Sequence, residues 1–348
     1  MAVTPRNRLL GLVAAAAITI TTTLFAAPAQ SAPLTYAALG DSYSAGVGAG
    51  GSTNDCYQSQ QGYPVLIARS TGWTLNYRAC SGATTSDVRY SQLPGVSYYT
   101  NRITVSAGGN DIGFADALVE CAKPGWMSNC PAKLDEAERL INGTLPGRLD
   151  GLYGAIKARA PWARVVAVGY PRLFNGDDCN ALTFFSSAEM SRANQLADRL
   201  NDVTRYRANS AGITFSDPRW KFLGHAWCDA DEWINGPMWN LEDSYHPNSA
   251  GNVGYASVVG GSLGISTTYA TSAATTTTAS AEVSAQEAGQ VLPDLATPQN
   301  LARAQAAGIA PGLVKQLDAD LRSGDRARAN AALKKLHALD RQYQARQR

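Results

Sequence analysis

Thr35-Tyr36-Ala37-Ala38-Leu39-Gly40-Asp41-Ser42-Tyr43-Ser44-Ala45-Gly46 is an apolar run that breaks into a glycine, a carboxylate and a serine. A short apolar run bounded by turn residues reads as a buried strand, so Ser42 is presented at a strand end. The pattern recurs along the chain. Trp73 to Ala79 leads to Gly82, and Ile103 to Ala107 leads to Asn110. Val165 to Tyr170 stops at Pro171, and Ile213 to Ser216 stops at Asp217-Pro218. Helix-like stretches lie between. The clearest is Ser187 to Arg207, where Met190, Ala193, Leu196, Ala197, Leu200 and Val203 recur near a 3.6 period. Apolar strands alternating with helices predict an α/β fold, a three-layer α/β/α sandwich with a parallel sheet covered on both faces. Functional groups of such folds collect at the carboxyl ends of the strands, where Ser42, Gly82 and Asn110 all fall.

The chemistry is legible in residue types. Asp243-Ser244-Tyr245-His246-Pro247 places a histidine with an acid three residues upstream, and the chain holds only three histidines: His225, His246 and His337. A hydroxyl, a base and a group that orients the base are what acyl transfer requires. Gly82, in Cys80-Ser81-Gly82-Ala83-Thr84-Thr85, lets a backbone N–H approach a ligand closely. Asn110, in Gly108-Gly109-Asn110-Asp111, offers a side-chain amide. With the Ser42 N–H these make three candidate donors for an oxyanion. Asp41 and Asp111 read as loop braces. His225 reads as a structural histidine, and Trp220, Trp227, Trp233 and Trp239 as packing for the loop before His246.

The ordered blocks Gly40-Asp41-Ser42, Gly82, Gly109-Asn110-Asp111 and Asp243-x-x-His246 resemble the SGNH (GDSL) hydrolase superfamily, over roughly residues 34–264. The resemblance is greatest to its secreted actinobacterial lipases, esterases and phospholipases. It implies a flavodoxin-like fold, with Ser42 as nucleophile, His246 as general base, and Ser42, Gly82 and Asn110 as the oxyanion hole. Asp243 is expected to orient His246, although some relatives replace this acid with a backbone carbonyl. Position 44 is serine, so the Gly-x-Ser-x-Gly elbow of α/β-hydrolases is absent. The implied activity is cleavage of acyl esters of lipids (lipase, phospholipase A or carboxylesterase) through an acyl-enzyme, with no metal or organic cofactor. The alternatives are a carbohydrate acetylesterase acting on polysaccharide and a non-catalytic binding protein on the same fold.

The ends add context. Residues 1–29 read as a signal peptide: Arg6 and Arg8, an uncharged stretch Leu9 to Ala26, then Ala27-Pro28-Ala29 as the cleavage site. Cleavage there leaves a secreted chain of 28 basic and 28 acidic residues, since the whole chain has 30 and 28. A balanced charge gives no sign of a nucleic-acid partner. Six cysteines follow the signal, an even number that reads as disulfides in an exported chain. The family resemblance implies the pairs Cys56–Cys80, Cys121–Cys130 and Cys179–Cys228.

Beyond the catalytic region of residues 30–264, residues 265–298 form a Thr/Ala/Ser-rich linker. Residues 299–348 read as a helical hairpin built on Leu313, Leu317 and Leu321, then Ala329, Leu333, Leu336 and Leu339. It is expected to be a small accessory module, packing on itself or on the catalytic domain, joined by a loose tether and dispensable for hydrolysis of soluble esters. Its leucine face and its basic end suit contact with a lipid surface. His337 reads as a surface residue, and the protein as a monomer.

Overall fold

The computed structural model describes residues 1–2, 32–52, 54–238, 240–266 and 292–347. The expected signal peptide, most of the linker and Trp239 lie outside these residues. The described residues from Pro33 onward form one compact unit.

Among the described residues, five strands are β1 (Thr35–Gly40), β2 (Thr74–Tyr77), β3 (Arg102–Ser106), β4 (Arg164–Val168) and β5 (Thr214–Ser216). They form one sheet in the order β2-β1-β3-β4-β5, with every neighbouring pair parallel. The central strands are sealed on both faces: Tyr36, Leu39, Ile103, Val105, Val166 and Val168 are all buried. That is why they read as continuous apolar runs rather than alternating ones. The edge strand β2 is only half buried.

The helices are α1 (Ser42–Ala45), α2 (Tyr63–Thr71), α3 (Thr85–Asp87), α4 (Phe114–Cys121), α5 (Cys130–Gly143), α6 (Leu145–Arg159), α7 (Ser187–Ser210) and α8 (Ser249–Leu263). Local chemistry sets their starts. Ser186 and Glu189 form a reciprocal capping box at α7, and Asn248 caps α8 through the Gly251 N–H. The buried residues of α7 include Met190, Ala193, Leu196, Ala197 and Leu200, five of the six its periodicity marks, and Val203 is partly buried. The cysteines pair as Cys56–Cys80, Cys121–Cys130 and Cys179–Cys228.

The C-terminal extension is helical: α9 (Pro298–Ala306), α10 (Pro311–Leu321) and α11 (Arg326–Arg346). It packs on the catalytic region, one of the two arrangements expected of an accessory module. Leu295, Ala304, Val314, Leu317, Leu321, Leu333 and Leu336 share one buried cluster with Trp126, Met127, Leu182 and Phe184. The leucine face is therefore used internally, and an apolar lipid-facing surface does not form from it. His337 is a seam residue rather than a free surface one: its ring stacks on Phe184 at 4.4 Å and its Nε2 donates to the Ala181 carbonyl at 2.8 Å.

Candidate active site

Ser42 follows β1 directly and opens α1, which Asp41 caps by accepting the Tyr43 N–H at 3.1 Å. The turn demands glycine before it. Gly40 has φ +125°, and a Cβ there would lie 2.3 Å from the Ser106 carbonyl oxygen of β3. The serine hydroxyl meets its partner across the top of the sheet: His246 Nε2 lies 2.7 Å from Ser42 Oγ. This is within reach for direct proton transfer.

The other imidazole nitrogen corrects a sequence expectation. His246 Nδ1 donates to the Ser244 backbone carbonyl at 3.0 Å. The Asp243 carboxylate is turned away from the ring. Its Oδ1 accepts the Gly48 N–H at 3.1 Å and its Oδ2 accepts the Asn240 amide at 2.9 Å. Asp243 thus does not orient His246 directly; it ties the histidine loop to the loop after α1. Asn235 reinforces this tie by donating to the carbonyls of Gly48 and Asp243. The reason is local conformation. Tyr245 adopts φ +59°, and its carbonyl accepts the Tyr43 hydroxyl at 2.9 Å. The tight turn brings the Ser244 carbonyl, not the Asp243 side chain, beneath the ring. Phe174, Phe185 and Trp227 surround the Tyr245 ring and hold the turn.

Burial lowers the His246 pKa below its ordinary 6.5. The Ser244 carbonyl and the charges of Glu242 and Asp243 oppose that effect without overcoming it. The imidazole is therefore neutral, and competent to take a proton, at neutral pH.

Gly82 lies in the exposed loop after β2 with φ +75°, and nothing lies within 4 Å of where a Cβ would stand. Asn110 follows β3, and its amide donates to the Ala83 carbonyl at 3.0 Å, next to Gly82. Asp111 joins the same two loops. It accepts the Thr85 N–H at 2.8 Å, the Thr85 hydroxyl at 2.6 Å and Arg148 at 3.1 Å. Ser42, Gly82 and Asn110 thus sit at the carboxyl ends of three adjacent strands. His225 is elsewhere employed: it stacks on Trp233 at 3.8 Å and meets the Asp231 carbonyl at 2.8 Å. Trp227 and Trp233 pack near the histidine loop, whereas Trp220 is exposed.

A parallel α/β sandwich carrying a serine–histidine pair at its strand ends defines a hydrolase of nucleophilic type. The GDSL-like lipase/acylhydrolase family matches residues 38–253, and the chain belongs to this family. It is a carboxylic ester hydrolase. It is 42% identical to Lipase 1 of Streptomyces coelicolor over 268 residues, which cover 74% of this chain and 98% of the relative. Among solved structures it is similar to an extracellular lipase from Streptomyces rimosus, with TM-score 0.63 and 40% identity, covering 66% of this chain and 99% of that one. It is equally similar to a phospholipase A1 from Streptomyces albidoflavus NA297, with TM-score 0.63 and 39% identity, covering 66% and 100%.

Proposed function

We propose that this protein is a secreted lipase-type acylhydrolase that cleaves acyl esters of lipids, phospholipids included, through an acyl-enzyme on Ser42. The observation that carries the reading is the 2.7 Å contact between Ser42 Oγ and His246 Nε2. As Ser42 Oγ bonds to the ester carbonyl carbon, its proton passes to His246 Nε2. The Nδ1–H stays on the Ser244 carbonyl and fixes the tautomer. The oxyanion is received by the N–H groups of Ser42 and Gly82 and the Asn110 amide. His246 then protonates the departing alcohol oxygen. Water, deprotonated by the same nitrogen, attacks the acyl carbon and releases the carboxylic acid and free Ser42.

The lipid assignment is supported by the names of the relatives, and secretion by the three disulfides, which persist in oxidising compartments. Among the described residues no helix is long and apolar enough to cross a membrane. Contact of the C-terminal extension with an anionic lipid surface would rest on basic residues such as Lys334, Lys335 and Arg341.

The test is stoichiometric labelling by a fluorophosphonate, with the adduct mapped to Ser42, followed by hydrolysis of p-nitrophenyl esters of rising chain length and of phosphatidylcholine vesicles. Ser42→Ala should lose both labelling and turnover. Turnover of acetyl esters alone would move the substrate to the carbohydrate-esterase class, and a labelled residue other than Ser42 would overturn the mechanism.

A further inference from the structure

Behind the nucleophile lies a buried hydrogen-bonded chain that the mechanism above does not use. Asp41 is 1% exposed. Its Oδ1 accepts the Ser106 hydroxyl at 2.6 Å as well as the Tyr43 N–H. Its Oδ2 accepts the Tyr170 hydroxyl at 2.5 Å. That hydroxyl in turn accepts the Gly109 N–H at a longer 3.4 Å. Tyr170 therefore touches the residue before the nucleophile and the residue before Asn110.

Tyr170 is itself held from every side. It stands two residues beyond β4, and Asn201 of α7 clamps its backbone, with the Asn201 carbonyl oxygen accepting the Tyr170 N–H at 2.8 Å and the Asn201 amide donating to the Tyr170 carbonyl at 2.7 Å. Asn201 is fully buried. The Tyr170 ring meets Tyr43 edge-on at 5.1 Å, and a Cβ on Gly109 would sit 3.6 Å from that ring. A hydroxyl clamped this firmly fixes what it bonds, because buried, fully satisfied networks rigidify their surroundings.

We propose that Tyr170 is a positioning residue for ester hydrolysis: through Asp41 on one side and Gly109 on the other, its hydroxyl sets the spacing between Ser42 and Asn110. The proposal rests on the oxyanion role given to Asn110 above. Misplacement of reacting groups by about 1 Å can cost a hundredfold in rate, so a rigid spacer between nucleophile and donor has a kinetic consequence. The hydroxyl is bonded inside the protein to Asp41 and Gly109, so its loss should leave substrate affinity alone.

The experiment is a double-mutant cycle on a soluble short-chain p-nitrophenyl ester, using wild type, Tyr170→Phe, Asn110→Ala and the double variant. Tyr170→Phe keeps the ring against Tyr43 and removes only the hydroxyl. It should lower kcat about tenfold or more with KM within twofold. In the Asn110→Ala background the same substitution should cost less than about threefold, because the donor it positions is already gone. A merely structural role would give equal losses in both backgrounds, and that result would overturn the proposal. So would an unchanged kcat, or a loss confined to KM. Asn110→Ala alone reads the oxyanion assignment separately; full activity there removes both. Should Tyr170→Phe not fold, Asp41→Asn replaces it in the cycle: its Nδ2 cannot accept the tyrosine proton, and the same non-additivity with Asn110→Ala is expected.

Discussion

His246 Nδ1 lies 3.0 Å from the carbonyl oxygen of Ser244, two residues earlier in its own loop. A carbonyl there fixes the tautomer, but it brings no formal charge to the imidazolium that the proposed attack by Ser42 would create. The carboxylate that looks in sequence like the third member of a triad instead accepts from Gly48 and Asn240.

Asp243 should accordingly behave as a tie rather than as a triad acid. Removing the acid of a true triad costs about 10⁴ in kcat. Here Asp243→Asn, which can still accept the Gly48 N–H, should keep at least a tenth of wild-type kcat. Asp243→Ala should lose more, through a loosened histidine loop, yet stay above about a hundredth. Steady-state kinetics on a soluble ester decide the point. A loss near 10⁴ in Asp243→Asn would mean that the carboxylate turns to His246 during turnover.

The pH profile follows from the same ring. Only neutral His246 can accept the Ser42 proton, and burial holds its pKa below 6.5. Activity should therefore persist as pH falls past 6.5 and fail only below it. The acid limb of kcat/KM against pH, which reports the free enzyme, should have a midpoint under 6.5. A midpoint at or above that value would show the imidazolium to be favoured in the site.

How far the sequence reached depends on which atoms do the work. The sheet was readable because β1, β3 and β4 are sealed on both faces, so Tyr36 to Leu39 and Val165 to Val168 carry unbroken apolar runs and Ile103 to Val105 is broken only by the buried Thr104. The Ser42–His246 pair was readable because the chain holds only three histidines and Gly40-Asp41-Ser42 breaks out of an apolar run. The Ser244 contribution was not, since every residue has a carbonyl and the φ +59° turn at Tyr245 leaves no mark on residue type. Tyr170 was hidden for a related reason: its hydroxyl meets Asp41 from 129 residues away, a pairing set by strand order. The leucines of the extension were recognised as an apolar face, but a face does not name what covers it. Trp126, Met127, Leu182 and Phe184 do so only once the chain has folded.

The seam between extension and catalytic region contains a titrating group. Asp340 is 3% exposed, accepts the Gly125 N–H at 2.6 Å and the Gln344 amide at 2.7 Å, and is pushed up by burial to about 6 from an ordinary 3.8. The folded state thus holds this proton to a higher pH than the unfolded state does. The stabilisation is full below 3.8 and is lost as pH climbs through about 6. Asp340→Asn keeps an acceptor for Gly125, and Gln344 can turn its amide to suit. At pH 8 the variant should be more stable than wild type, by ~3 kcal/mol at most for that displacement. Near pH 4 the two should melt together. Calorimetry at both pH values checks this, and an equal difference at the two would remove Asp340 ionisation as the cause.

Truncation near Gly264 separates the catalysis of the core from the stability the extension lends it. The family match ends at residue 253, ahead of α9 to α11, and two-thirds of this chain spans the solved relatives almost whole. Ser42, His246, Gly82 and Asn110 all precede the cut. Turnover of a soluble ester at 25 °C should therefore stay within about threefold of wild type. Stability should not be preserved. The cut uncovers Trp126 and Met127, inside the loop closed by Cys121–Cys130, together with Leu182 and Phe184. Fully exposing one such side chain costs ~1.5–3 kcal/mol, and four of them outweigh what a partial exposure would spare. Arg303 also releases the Met127 carbonyl, and Asp340 the Gly125 N–H. A fall in Tm of more than about 5 °C, with new binding of an apolar dye, is the expected result. A Tm unchanged by the cut would show that the shared apolar cluster contributes nothing to holding the catalytic region together. Loss of soluble-ester turnover in a protein still folded would show that the extension reaches the site, by way of Phe184 and Phe185 to Tyr245 beside His246.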